Sequence, residues 1–216
     1  MNILFLAPPA AGKGTQSMQI CKQYGLIHIS TGDLLRNCED ENIAKLIKNG
    51  EFVSDEIVTS LLENKLVQKE CDKGYVLDGY PRNIKQAKLY DDLLVKLGKD
   101  EGVVIVLDLD KEIAKKRIVG RRICPNCGAV FNDYIKEALP KVDNLCDYCH
   151  HSLIKRDDDN EDTFNKRYAI YENETKPLIE YYKNKGILYY VDSGVDIDYT
   201  FRQVQNIIDN KLARRW

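Results

Sequence analysis

Phe5-Leu6-Ala7-Pro8-Pro9-Ala10-Ala11-Gly12-Lys13-Gly14-Thr15 continues the apolar run that begins at Ile3, and beyond it Met18, Cys21 and Tyr24 recur at helical spacing. The order predicts strand, tight loop, helix. Small residues in such a loop let backbone N–H groups converge on phosphate oxygens; the helix N-terminus adds a favourable dipole and Lys13 a point charge. A hydroxyl nearby, here Thr15, can hold a metal. The common phosphate-loop pattern opens on Gly and closes on Gly-Lys-Ser/Thr. Here Ala7 takes the first Gly position and Gly14 separates Lys13 from Thr15. The competing reading is an ordinary strand-to-helix turn with a surface lysine.

Outward from this loop, strand-like and helix-like runs alternate. Ile3–Leu6, Leu26–Ile29, Tyr75–Leu77, Val103–Leu107 and Ile187–Val191 are apolar on consecutive positions, as strands covered on both faces are. Helical patterns occupy Thr15–Tyr24, Asp33–Asn49 with a break, Ser54–Glu70, Ile84–Leu97, Lys111–Val119, Thr163–Asn184 and Tyr199–Leu212. Ser54 with Asp55 and Glu56 behind it suits a helix start. The expected fold is α/β, a doubly wound five-stranded parallel sheet. Two stretches break the alternation, about 30–53 and about 121–157, and read as insertions beside the sheet.

With 216 residues the chain can bury a substantial core. Its net charge of −2 gives no global field for nucleic acid or anionic membrane. No apolar run reaches membrane-spanning length, and no basic leader precedes the first strand, so a cytosolic protein is expected. Of seven cysteines, Cys21, Cys38 and Cys71 stand singly and read as reduced. The other four form Cys124-Pro125-Asn126-Cys127 and Cys146-Asp147-Tyr148-Cys149, with 18 residues between the pairs. Two such knuckles can place four thiolates round zinc, leaving no open position, hence a structural site. A redox pair is the alternative, although neither pair opens a helix after a strand. His150 and His151 read as surface residues. Between Ile123 and Ile154 only Lys136 and Lys141 face Asp133, Glu137, Asp143 and Asp147, the wrong sign for a nucleic-acid ribbon.

Three further clusters carry chemistry. Ser30-Thr31-Gly32-Asp33-Leu34-Leu35-Arg36 offers a helix cap, but also Arg36 one turn beyond Gly32. Asp78-Gly79-Tyr80-Pro81-Arg82 leaves the third strand at its carboxyl end, where open α/β sheets bind ligands. Asp78 can accept from metal-bound water and Arg82 can fork onto phosphate, or the stretch is simply a turn. Gln86 follows, an amide able to meet a base edge. Arg117 and Arg121, spaced i, i+4, are expected on one helix face, with Arg156 and Arg167 beyond the second insertion. If these cations converge with Lys13, polyanionic ligands must hold them together; otherwise each is a solvated surface residue. Asp157, Asp158 and Asp159 can pair with them or form a solvated acidic turn.

In this order Gly-Lys-Gly-Thr, Ser-Thr-Gly-Asp-Leu-Leu-Arg, Asp-Gly-Tyr-Pro-Arg, Ile-Val-Gly-Arg-Arg and Arg-Asp-Asp-Asp resemble the adenylate kinase family, in its long form with a zinc-bearing lid, over nearly the whole chain. The resemblance implies reversible transfer of the terminal phosphoryl of ATP, with magnesium, to AMP, giving two ADP. It implies a core domain of 1–29, 54–119 and 158–216, an AMP-binding domain of 30–53, a lid of 120–157, and a monomer. Position by position, Ala10, Ala11, Gly12, Lys13, Gly14 and Thr15 would hold ATP phosphates. Arg121 would join them, with Arg117, Val130, Phe131 and Val195 at the adenosine. Thr31, Arg36, Glu51, Phe52, Val53, Gly79, Tyr80, Pro81, Arg82 and Gln86 would bind AMP. Arg156 and Arg167 would span the phosphates of both, and Asp33 and Asp78 would orient magnesium-bound water. Catalysis is thereby expected of Lys13, Asp78, Arg82, Arg121, Arg156 and Arg167, and zinc binding of Cys124, Cys127, Cys146 and Cys149. The family usually has glycine where this chain has Ala7 and Ala10; if either needs positive φ, alanine costs on the order of 1 kcal/mol. Its nearest rival is a kinase for UMP, CMP or GMP, since Thr31 and Gln86 favour adenine only by resemblance.

Overall fold

A computed structural model of the chain describes residues 1–38, 40, 43, 53–156 and 159–213, with Arg36 described in its backbone alone. Five strands, β1 (Ile3–Leu6), β2 (Ile27–Ser30), β3 (Tyr75–Asp78), β4 (Val103–Asp108) and β7 (Leu188–Asp192), form one sheet in the order β2-β3-β1-β4-β7. Every pairing in it is parallel. Successive side chains explain the unbroken apolar runs. Leu4, Leu6, Leu77, Val104 and Val106 join one buried cluster, whereas Ile3, Phe5, Val76, Val103, Ile105 and Leu107 join the other. Both faces are therefore core.

The first cluster is closed by α3 (Asp55–Leu66), α4 (Ile84–Leu97) and α7 (Pro177–Asn184), through residues such as Leu62, Tyr90 and Leu178. The second is closed by α1 (Lys13–Tyr24), α5 (Lys111–Val119), α6 (Glu161–Ile170) and α8 (Ile197–Ala213), through Ile20, Ile118, Phe164 and Val204. From β1 the chain goes out to β2 and returns to β3, then crosses to β4 and β7 on the far side, so the order reverses beside β1 and a crevice opens at the carboxyl ends. The loop after β1 sits at that reversal. No helix among the described residues is long and apolar enough to cross a membrane.

Three local departures from expectation have physical reasons. The run predicted as one helix over 163–184 is interrupted by a π turn, Tyr171–Thr175, before Pro177 opens α7. There the Thr175 hydroxyl donates to the Arg82 carbonyl at 3.0 Å, a tertiary contact that no periodicity encodes. Ser54 does cap α3, but that helix stops at Leu66 and passes into a 3₁₀ turn, Lys69–Asp72. Third, Arg121 is not on the helix face of Arg117, because α5 ends at Val119 and Arg121 opens a strand. The Asn132 amide donates to the Arg117 carbonyl at 2.8 Å, the acceptor that a further helical residue at 121 would use, and Asn132 and Tyr134 leave no room for a Cβ at Gly120.

Residues 120–156 form a small separate layer. β5 (Arg121–Ile123) pairs antiparallel with β6 (Val130–Asn132), and isolated bridges join Ile123 to Ile154 and Leu145 to Ser152. Its buried residues are Cys124, Phe131, Cys146 and Leu153. A core this small needs a cross-link of some kind.

Candidate active site

The loop after β1 turns into α1 at Gly12, whose φ of 84° is the helix cap. Lys13 is the first helical residue, and its ammonium lies 3.5 Å from Asp78 Oδ1 at the end of β3. His28 Nε2 reaches within 3.6 Å of the other oxygen, too far for a hydrogen bond but close enough to add to the field. Burial pushes the Asp78 carboxyl upward; His28 and the Lys13 ammonium outweigh it and hold the group below its ordinary value. Asp78 therefore stays a carboxylate at neutral pH. Parallel register pairs Ser30 with Asp78 and His28 with Val76, so His28 lies two positions back on the same sheet face as the aspartate, and nothing in the sequence marks it.

Gly79 follows with φ 82°. A Cβ there would stand 3.1 Å from the Thr31 hydroxyl and 3.3 Å from an Arg82 guanidinium nitrogen, so only glycine lets the two approach. Thr31 Oγ1 donates to the Gly79 carbonyl at 3.1 Å, and Arg82 Nε donates to the same carbonyl at 2.8 Å. The Tyr80–Pro81 peptide is cis, and both residues are buried. Loss of surrounding water lowers the Arg82 guanidinium pKa; Asp78 opposes the shift and Arg167, from α6, adds to it.

The other expected residues belong to several different elements. Thr15 is half-buried in the first turn of α1, with Ala11 buried and Gly14 exposed in the same loop. Asp33 is exposed on α2 (Thr31–Arg36), whose cap is Ser30. Arg121 grips buried Asp159 through Nε, at 2.8 Å to Oδ2, and through Nη2 to Oδ1. One edge of the guanidinium is thereby used and the Nη1 edge is left. Burial lowers the Arg117 guanidinium pKa, with Asp192 at the end of β7 opposing, and Val195 is exposed in the turn after that strand. Val130 is exposed and Phe131 buried on β6, and Arg156 is exposed in the strap leading to α6. Val53 is half-buried ahead of α3. Glu51, Phe52, Asp157, Asp158 and the Arg36 side chain lie outside the described residues. A groove of about 630 Å³ behind α6 and α7 takes Pro8 from the loop, but not Lys13, Asp78 or Arg82.

Ala10 carries φ 64°, while Ala7 is buried without positive φ. The cost of leaving glycine therefore falls at Ala10. Ala10→Gly is expected to raise stability by up to ~1 kcal/mol, read as a higher midpoint of denaturant unfolding. A lower midpoint would show that the alanine is not strained.

In the 120–156 layer the four cysteine sulfurs lie within 4.8 Å of one another, with Cys124 to Cys149 at 3.3 Å and Cys127 to Cys146 at 3.5 Å. Zinc with bonds near 2.3 Å sets sulfurs roughly 3.8 Å apart, so the set fits that ion. The knuckles repeat one another: Gly128 N–H donates to the Cys124 carbonyl at 3.0 Å and His150 N–H to that of Cys146 at 2.9 Å, both donors at positive φ. His150 and His151 are exposed.

The family described as adenylate kinase matches residues 5–187. Among curated relatives, an adenylate kinase of Archaeoglobus fulgidus is 43% identical, covering 97% of this chain and 98% of its own. One of Caldanaerobacter subterraneus subsp. tengcongensis is 44% identical over 96% of each. One of Thermosipho africanus is 39% identical over 96% of this chain and 99% of its own. With a phosphate loop at the reversal of a five-stranded parallel sheet and likeness along nearly its whole length, this chain belongs to the adenylate kinase family.

Proposed function

We propose that the protein moves the terminal phosphoryl group of ATP, bound with magnesium, to AMP and yields two ADP. The observation that supports this is the Lys13 ammonium at the mouth of the phosphate loop, 3.5 Å from the Asp78 carboxylate at the end of β3, with Arg82 in the turn that follows. Neither nucleotide needs a covalent tie to the protein. The reaction asks for alignment and for stabilisation of charge on the group in transit.

In this reading the backbone from Ala10 to Thr15 and the helix start cradle ATP phosphates, and Lys13 follows the moving group. Arg82, Arg36 and Arg167 hold the AMP phosphate, while Arg156 and the free edge of Arg121 close on the ATP side. Thr31, Gly79 to Pro81, Gln86 and the 51–53 backbone seat AMP; Arg117, Val130, Phe131 and Val195 seat the other adenosine. Oxygen donors at Thr15, Asp33 and Asp78 suit the magnesium that travels with ATP, a hard cation that keeps several waters. Four cysteines with room for zinc make the 120–157 layer a stiff cover, which keeps water from the phosphoryl group. The protein would act as a monomer in the cytosol.

A panel of monophosphates tests the substrate. Coupled measurement of ADP should give the highest kcat/KM with AMP, by about 10²-fold or more over UMP, CMP and GMP. A pyrimidine or guanine nucleotide preferred over AMP would overturn the assignment.

A further inference from the structure

Gln86 is 7% exposed, and the polarity of its partners fixes the orientation of its amide. Oε1 accepts from the Arg82 backbone N–H at 2.7 Å, and Nε2 donates to Asp55 Oδ1 at 2.7 Å. A backbone N–H only donates and a carboxylate only accepts. Rotating the amide by half a turn would set donor against donor and acceptor against acceptor. The surroundings are equally constrained. Gln86 N–H donates to Asn83 Oδ1 at 2.8 Å, and its carbonyl accepts from the Tyr80 hydroxyl at 3.1 Å, which itself meets Thr59 Oγ1 at 2.7 Å. Asp55 is the first residue of α3, capped by Ser54, and its second oxygen lies 3.9 Å from the Lys85 ammonium.

A primary amide has two N–H groups and two lone pairs. With one of each engaged, Gln86 retains one acceptor and one donor in a fixed order. A 6-amino purine offers a donor at position 6 and an acceptor at N1; a 6-oxo purine offers the reverse. An amide free to turn over serves both. We propose that Asp55 is a specificity-determining positioning residue: by locking the Gln86 amide it makes the monophosphate site accept 6-amino purines and reject 6-oxo purines. This rests on the reading of Gln86 as facing the AMP base.

The test compares kcat/KM for AMP and for inosine monophosphate, which differs at position 6 and the N1 proton, in the intact chain and in Asp55→Asn. Asparagine can present either polarity, so one of the two constraints goes and only the Arg82 N–H still opposes the turned amide; the IMP-to-AMP ratio should rise about tenfold, mainly through KM. Asp55→Ser, whose hydroxyl also donates or accepts, gives the same reading should the first variant fold poorly. Glu56→Gln removes an acid from the same helix start, one that pairs with Lys85 rather than Gln86, and should leave the ratio where it was. AMP and IMP falling together at a constant ratio, or no change in either, would show Asp55 to be a brace for α3 and overturn the proposal. No ADP at all from ATP and AMP in the intact chain would instead defeat the function reading, and this one with it.

Discussion

Lys13→Met is expected to lower turnover by about 10³-fold or more, with the chain still folded. Lys13 begins α1, its side chain is 30% exposed, and its partner is the carboxylate of Asp78. Methionine has nearly the same helix propensity and a similar unbranched stem, so the helix start survives. What goes is a point charge in a partly buried site, where charge–charge energies exceed those in bulk water. The loss should appear in kcat far more than in either KM, because charge on the moving phosphoryl group grows toward the transition state. Asp78 also loses the ammonium that, with His28, holds its pKa low, so the carboxyl rises toward its ordinary value. Steady-state ADP formation at saturating nucleotides checks this. A fall of less than tenfold would remove Lys13 from the centre of the reaction.

Stripping zinc should have the largest effect on stability. The 120–156 layer buries Cys124, Phe131, Cys146 and Leu153, and its four cysteines are the residues that could hold a metal. Without a cation, thiols 3.3 and 3.5 Å apart hold nothing together. Structural zinc supplies much of the folding free energy of domains this small. Chelation, followed by resupply of magnesium for assay, is expected to lower the melting temperature by about 10 °C. Below the new transition, turnover should persist, since four sulfurs leave no position for substrate. Differential scanning calorimetry beside a rate–temperature curve measures both. Turnover lost at an unchanged melting curve would place the metal in the chemistry instead.

Much of the architecture was legible before any coordinates. Ile3 to Leu6 and Val103 to Leu107 are apolar at every position, and only a strand with helices on both faces needs that. The two Cys-x-x-Cys pairs were equally readable, because four soft ligands at knuckle spacing have few other uses. What escaped the sequence depends on contacts between distant segments. His28 comes to Asp78 diagonally across paired β2 and β3, and beyond the end of α5 the Asn132 amide takes the Arg117 carbonyl from 15 residues away. The π turn at Tyr171–Thr175 meets Arg82, 93 residues away along the chain. Gln86 was readable as an amide able to meet a base edge, but not its pairing with Asp55, 31 residues earlier.

The account rests on one cleft that delivers phosphoryl to a nucleotide and denies it to water. Counting products tests this directly, by following ADP and inorganic phosphate together as ATP is consumed with and without AMP. Two ADP per ATP with AMP present, and almost no phosphate in either case, is the predicted balance. Phosphate released from ATP at a comparable rate whether or not AMP is added would contradict it.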